Sequence, residues 1–105
     1  MENSEPEPDI AILIPGDNSQ NHPNSAQLII EIANTSLSFD RKKASIYAKG
    51  NVPEYVIINL IDHKMESYKS PKDGVYTEVR ILSRSEEFSS NSVQGLSFSL
   101  ESILS

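Results

Sequence analysis

The chain has 105 residues, 37% hydrophobic and 23% charged, with a formal net charge of −6 and no cysteine. That length holds one small domain of globular composition, and it excludes disulfides, zinc–cysteine centres and thiol chemistry. The chain lacks the run of about 18 apolar residues that a membrane-spanning helix needs, and its acidity argues mildly against a basic nucleic-acid-binding face.

The first residues, Met1 to Asp9, are acidic and carry prolines, unlike the basic and apolar start of a secretory signal, so a soluble cytoplasmic protein is expected. Asp9 to Ile14 is short, apolar and β-branched, the pattern of a buried strand, and Pro15 and Gly16 stop it. A polar loop then runs to Ser25. Gln27 to Ala33 is a second strand with one acid, Glu31, set among isoleucines. Asp40 suits a helix N-cap, since its carboxylate can accept from free backbone N–H groups. The helix is expected from Arg41 to Lys49, with Gly50 as its C-terminal stop. Glu54 to Ile61 is the most apolar stretch and the expected central strand. Asp62 and His63 form a turn into an alternating strand over Lys64 to Lys69. Pro71 to Gly74 is a second turn, and Tyr76 to Leu82 alternates again. Ser83 to Gln94 is serine-rich and acidic and reads as a surface loop, before a last short strand and one helical turn ending at Leu104. The class is α+β: a curved sheet with one helix after the second strand.

Asp9 and Glu31 carry the chemical signal. If the first two strands form an antiparallel hairpin with its loop centred near Gln20, then Ile10 faces Ile30, Ile12 faces Leu28 and Asp9 faces Glu31. Opposed residues in such a pair have Cβ atoms about 5 Å apart. Two carboxylates that close repel each other unless a cation lies between them. A hard ion such as Mg²⁺, held by one or two carboxylates plus waters and a substrate phosphate, fits that spacing. The competing reading is structural. Asp9 at a strand start costs nothing when exposed, and a buried Glu31 could be satisfied by an internal base.

His22 and His63 are isolated and read as surface residues. Tyr47, Tyr55, Tyr68 and Tyr76 could stack bases, with core packing the commoner role for tyrosines so placed. No glycine loop of the phosphate-cradling kind is present.

A wider pattern runs through these positions. Pro8-Asp9-Ile10-Ala11, Leu28-Ile29-Ile30-Glu31-Ile32, Ser36 to Arg41, Lys43, Tyr47-Ala48 and Val52-Pro53-Glu54-Tyr55 occur in that order. The ordered set resembles the putative restriction endonuclease family (Uma-type), a branch of the PD-(D/E)XK nucleases. The resemblance implies a restriction-endonuclease-like core with a curved, mainly antiparallel or mixed sheet. It also implies a metal-dependent DNA endonuclease, with Asp9 and Glu31 as ligands of Mg²⁺ or Mn²⁺ and Lys43 as the catalytic lysine. The slot two residues after the acid is Ala33, and the lysine resembles one moved onto the following helix, where Lys43 and Tyr47 share a face. The resemblance further implies a single partial domain over residues 1–105, lacking the family's N-terminal helix and strands. The alternative, from another functional class, is an inactive nuclease-like remnant. Such a remnant would act as a small interaction module and could form a homodimer through an exposed sheet edge near residues 9–14.

Overall fold

The computed structural model describes residues 9–13, 26–35 and 37–104. Its elements are β1 (Ile10–Leu13), β2 (Ala26–Ala33), α1 (Leu37–Lys49), β3 (Glu54–Asn59), β4 (Lys64–Lys72), β5 (Val75–Leu82), β6 (Glu87–Ser89), β7 (Ser97–Ser99) and α2 (Leu100–Leu104). The loop expected between the first two strands, with His22, lies outside the described residues.

β1 to β5 form one mixed sheet in chain order. β1 pairs antiparallel with β2, with Ile10 opposite Ile30 and Ile12 opposite Leu28, the register expected from the hairpin. β2 and β3 are parallel, with Glu31 opposite Ile57. Parallel neighbours need a crossover, and α1 supplies it. β3–β4 and β4–β5 are antiparallel, and β6 pairs with β7 as a separate ribbon. The α+β class with one helix after the second strand is therefore the observed architecture.

Alternation along β2 and β3 sends their side chains into two cores. On one face Ile29, Ala33, Tyr55 and Ile57 pack against Tyr47 and Ala48 of α1. On the other, Leu28, Ile30, Val56, Ile58 and Met65 pack under Phe88 of β6 and Leu100 of α2. Burial on both faces explains why the sequence of β3 is apolar throughout. Glu31 falls on the α1 face, where it is buried.

Several boundaries differ from the sequence reading, each for a local reason. α1 begins at Leu37, so Asp40 is not its N-cap but a buried residue of its first turn. At the other end Asn51, not Gly50, takes the left-handed conformation, with φ 60°. The Asn51 N–H donates to Ala48 O and the Val52 N–H to Tyr47 O, the two bonds of a Schellman cap. β3 stops at Asn59 because its side-chain Oδ1 accepts from the backbone N–H groups of Ile61 and Asp62 and turns the chain. β4 continues through Pro71 to Lys72. A proline fits there because β3 pairs only with Lys64 to Lys69, leaving Pro71 without a neighbour on that side. The β4–β5 turn is then only Asp73-Gly74, both with positive φ, the hairpin geometry that Asp-Gly favours. Within the expected Ser83–Gln94 loop, β6 forms because Phe88 is buried against the second core.

Candidate functional site

α1 packs across the sheet from β2 to β5, and its buried residues Asp40, Lys43 and Tyr47 follow a spacing of three and four that keeps them on one helical face. That face brings Lys43 and Tyr47 onto Glu31. The Lys43 ammonium lies 3.3 Å from Glu31 Oε2, and the Tyr47 hydroxyl donates to the same oxygen at 3.0 Å. Asp9, just before β1, closes the site from the other side. Its backbone N–H donates to Glu31 Oε1 at 3.4 Å, and its own carboxylate accepts the Ile32 N–H at 2.7 Å. The three residues singled out in the sequence, Asp9, Glu31 and Lys43, thus converge at the β1 end of the described sheet. Asp9 is exposed and Glu31 buried.

A fourth group belongs to the cluster. The Asp40 carboxylate lies 3.3 Å from the Lys43 ammonium, so Lys43 bridges two buried acids. Asp40 is held in turn by Tyr55, whose hydroxyl donates to the Asp40 backbone carbonyl at 2.8 Å. The next residue, Arg41, makes a forked ion pair with buried Glu66 of β4, which also accepts from the Tyr68 hydroxyl. The first turn of α1 is therefore pinned to β3 through Asp40 and to β4 through Arg41. Sequence reading assigned Asp40 to capping and missed this role. The clue available was its position three residues before Lys43 and seven before Tyr47.

Burial is the main influence on Glu31 and pushes its carboxyl above the ordinary range. Lys43 and Tyr47 pull it back down, and the nearby Asp9 charge pushes it up again. Burial likewise holds the Tyr47 phenol above its usual value, so it stays protonated as a donor. Tyr47, Tyr55, Tyr68 and Tyr76 form a row of rings with successive centroids 5.0, 5.6 and 5.9 Å apart. Their hydroxyls go to Glu31, the Asp40 carbonyl, Glu66 and the Val52 carbonyl. Core packing with satisfied hydroxyls is their role, and none is placed to stack a base.

Asp9 and Glu31 offer a divalent cation two carboxylates and no nitrogen or sulfur donor. No cluster of three or more His, Cys, Asp or Glu able to hold a metal occurs among the described residues. A donor set of that size and hardness suits Mg²⁺ or Mn²⁺, which keep waters and take only one or two carboxylates. Glu31, desolvated and only partly compensated, would gain from a cation on its Asp9 side. The residues present therefore fit the ion.

A further buried acid has no part in this cluster. Glu54 accepts from the Ser90 and Ser92 hydroxyls and from the Asn91 and Ser92 N–H groups, and Lys69 lies 3.5 Å away. It fastens the stretch after β6 to the centre of the sheet. His63 is in an exposed turn. No helix among the described residues is long and apolar enough to cross a membrane.

A family model described as putative restriction endonuclease matches residues 1–101. No curated protein matches the chain. The matched span takes in β1, β2, α1 and every residue of the Asp9–Glu31–Lys43 cluster, and on that extent the chain belongs to the putative restriction endonuclease family.

Proposed function

We propose that the protein is a divalent-metal-dependent DNA endonuclease that hydrolyses phosphodiester bonds at the Asp9–Glu31–Lys43 cluster. The observation that carries this reading is the convergence of Asp9, Glu31 and Lys43, from just before β1, from β2 and from α1: the Asp9 N–H donates to Glu31 Oε1 and the Lys43 ammonium lies 3.3 Å from Glu31 Oε2. Asp9 and Glu31 would hold Mg²⁺ or Mn²⁺. The ion would supply Lewis-acid charge to the scissile phosphate and acidify a nearby water.

The chain's own residues would do the rest. Lys43, already fixed by Glu31 and Asp40, would orient the attacking water and offset charge developing on the phosphate. Tyr47 keeps Glu31 in one rotamer by donating to Oε2. The Ile32 N–H does the same for Asp9, so both acids are oriented before any ion arrives. α1 carries Arg41, Lys42, Lys43 and Lys49 against the single acid Asp40, a local positive field on an acidic protein. Lys42 and Lys49 are exposed and available to DNA phosphates.

The test is thermal unfolding with and without Mn²⁺, followed by cleavage of plasmid DNA. A ligand that binds only the folded state stabilises it by about 2.7 kcal/mol at a hundredfold excess over its Kd. The parent gains that stabilisation and cuts DNA. Glu31→Gln and Asp9→Asn lose both properties, and Lys43→Met keeps the metal response but not cleavage. A cooperative transition indifferent to Mn²⁺, with no cleavage, overturns the reading.

One observation favours a second reading. Lys43 already pairs with Glu31 within the protein, and β1 pairs with β2 on one side only among the described residues. A catalytically silent module that pairs through its β1 edge, with a second copy included, would show the same features. Indifference to Mn²⁺ together with a concentration-dependent dimer would select it.

A further inference from the structure

The Lys43 ammonium has two anions to choose between. Glu31 Oε2 and Asp40 Oδ1 both lie 3.3 Å from it, and both carboxylates are buried. The Lys43 side chain is itself only 11% exposed, and its ammonium stands 5.0 Å above the Phe39 ring, which shields it further. A cation so enclosed cannot leave one carboxylate for water at little cost. It can move from one carboxylate to another. The two anions differ in how they are held. Glu31 is on a sheet strand beside Asp9, where a metal would sit. Asp40 is in a helical turn anchored on both sides, by the Tyr55 hydroxyl on its carbonyl and by Arg41 on Glu66.

We propose that Asp40 is a positioning residue that retains the Lys43 ammonium when a divalent cation takes Glu31. In the metal-free protein Lys43 stands in for the ion on Glu31. As the ion arrives, the ammonium shifts its weight to Asp40, which keeps it charged, close and aimed at the reacting phosphate. The inference rests on the nuclease reading and deepens it. Lys43 is both the internal competitor of the metal and its partner in catalysis, and Asp40 sets the balance between the two.

Two thermodynamic cycles on the full chain test this, and they fail separately. The first measures Mn²⁺ affinity from the shift in thermal midpoint for the parent, Asp40→Asn, Lys43→Met and the double variant. Removing Asp40's charge confines the ammonium to Glu31, so Asp40→Asn binds Mn²⁺ roughly tenfold more weakly, within the usual range of coupling between sites. Lys43→Met removes the competitor and binds Mn²⁺ more tightly than the parent. In the Lys43→Met background the Asp40→Asn effect disappears. Asp40→Glu, which restores the carboxylate, returns the affinity to within about twofold of the parent by the same coupling argument and guards against a folding defect in the amide variant. An Asp40→Asn effect that is absent, or equal with and without Lys43, overturns the proposal.

The second cycle needs no metal. Glu31→Gln lowers the midpoint more in the Asp40→Asn background than in the parent, because Lys43 then has no carboxylate at either station. Equal shifts in the two backgrounds overturn the two-station arrangement whether or not the ion binds. If Mn²⁺ moves no variant while this second cycle shows coupling, the nuclease reading falls and the proposed retention with it, and only the static pairing of Lys43 with both carboxylates stands.

Discussion

Glu31 and Glu54 are both buried on adjacent strands of the sheet, yet their surroundings move their carboxyls in opposite directions. Burial dominates at Glu31 and raises it above its ordinary value of 4.5. At Glu54 burial also pushes upward, but the Asn91 N–H, the Ser90 and Ser92 hydroxyls and the Ser92 N–H outweigh it, and the carboxyl falls below 4.5. The consequences for stability have opposite signs. A depressed acid contributes stability that is complete above its unfolded value and is lost as pH falls through its folded value. Glu54 therefore contributes at neutral pH and fails in acid. A raised acid binds its proton more tightly in the folded chain, so ionised Glu31 costs stability as pH rises from 4.5 through its folded value. Glu54→Gln is expected to cost about 2 kcal/mol near neutrality, since it breaks a buried network of charge-assisted hydrogen bonds. The same variant should lose less than the parent when pH is lowered from about 6 to about 3, because the titrating group is gone. Urea denaturation at several pH values checks both statements, and an acid limb as steep as the parent's would remove Glu54 from this role.

At the scale of the element, α1 combines two duties on opposite faces. Its inner face is structural and chemical, with Tyr47 and Ala48 in the core and Asp40 and Lys43 in the cluster. Its outer face presents Lys42 and Lys49 to solvent. If that face meets DNA, each lysine should contribute through counterion release and not through base contacts. Lys42→Ser and Lys49→Ser are each expected to lower the slope of log affinity against log salt by roughly 1, evenly across DNA sequences. Fluorescence anisotropy with unrelated duplexes at several salt concentrations measures this. An unchanged slope in both variants would turn the search for the DNA surface away from α1. β3 shows a different division of labour. Its sequence, EYVIIN, is almost wholly apolar because α1 covers one face and the β6–β7 ribbon with α2 covers the other. Only its ends are polar, and both polar ends are occupied, Glu54 by the stretch after β6 and Asn59 by the turn it makes.

Across the whole molecule the cohesion is uneven. β3 lies in the middle of the five strands and is buried along its full length. β1 is at the edge, four residues long, with Ile10 and Ala11 exposed. Segments with few buried contacts open locally at low free energy, while central strands open only with global unfolding. Amide hydrogen exchange should therefore be fast in β1 and slowest in β3, and Mn²⁺ should slow β1 if the ion ties Asp9 to Glu31. Equal protection of the two strands would contradict this gradient. Slow exchange in β1 that depends on protein concentration would point to a copy paired along the edge. The candidate site thus joins an edge strand to a buried one, so a ligand held there would be expected to order β1.

Much of this was legible from the chain alone. Alternation and apolar runs determined the five strands of the main sheet and the helix after the second of them, because period and burial are local properties of a sequence. The same alternation, with the loop length between β1 and β2, determined that Asp9 faces Glu31. The spacing of Lys43 and Tyr47 determined that they share a helical face. Tertiary structure alone decided the rest. Asp40 became an internal counter-ion and not a cap because the helix starts one turn earlier than its composition suggests. Glu54 became a fastening point because Ser90, Asn91 and Ser92, more than thirty residues further along, fold back onto it. β6 exists because Phe88 finds the second core. Contacts between residues so far apart leave no periodic trace in the sequence, since they depend on how the two faces of one sheet are covered and on where a crossover helix comes to rest.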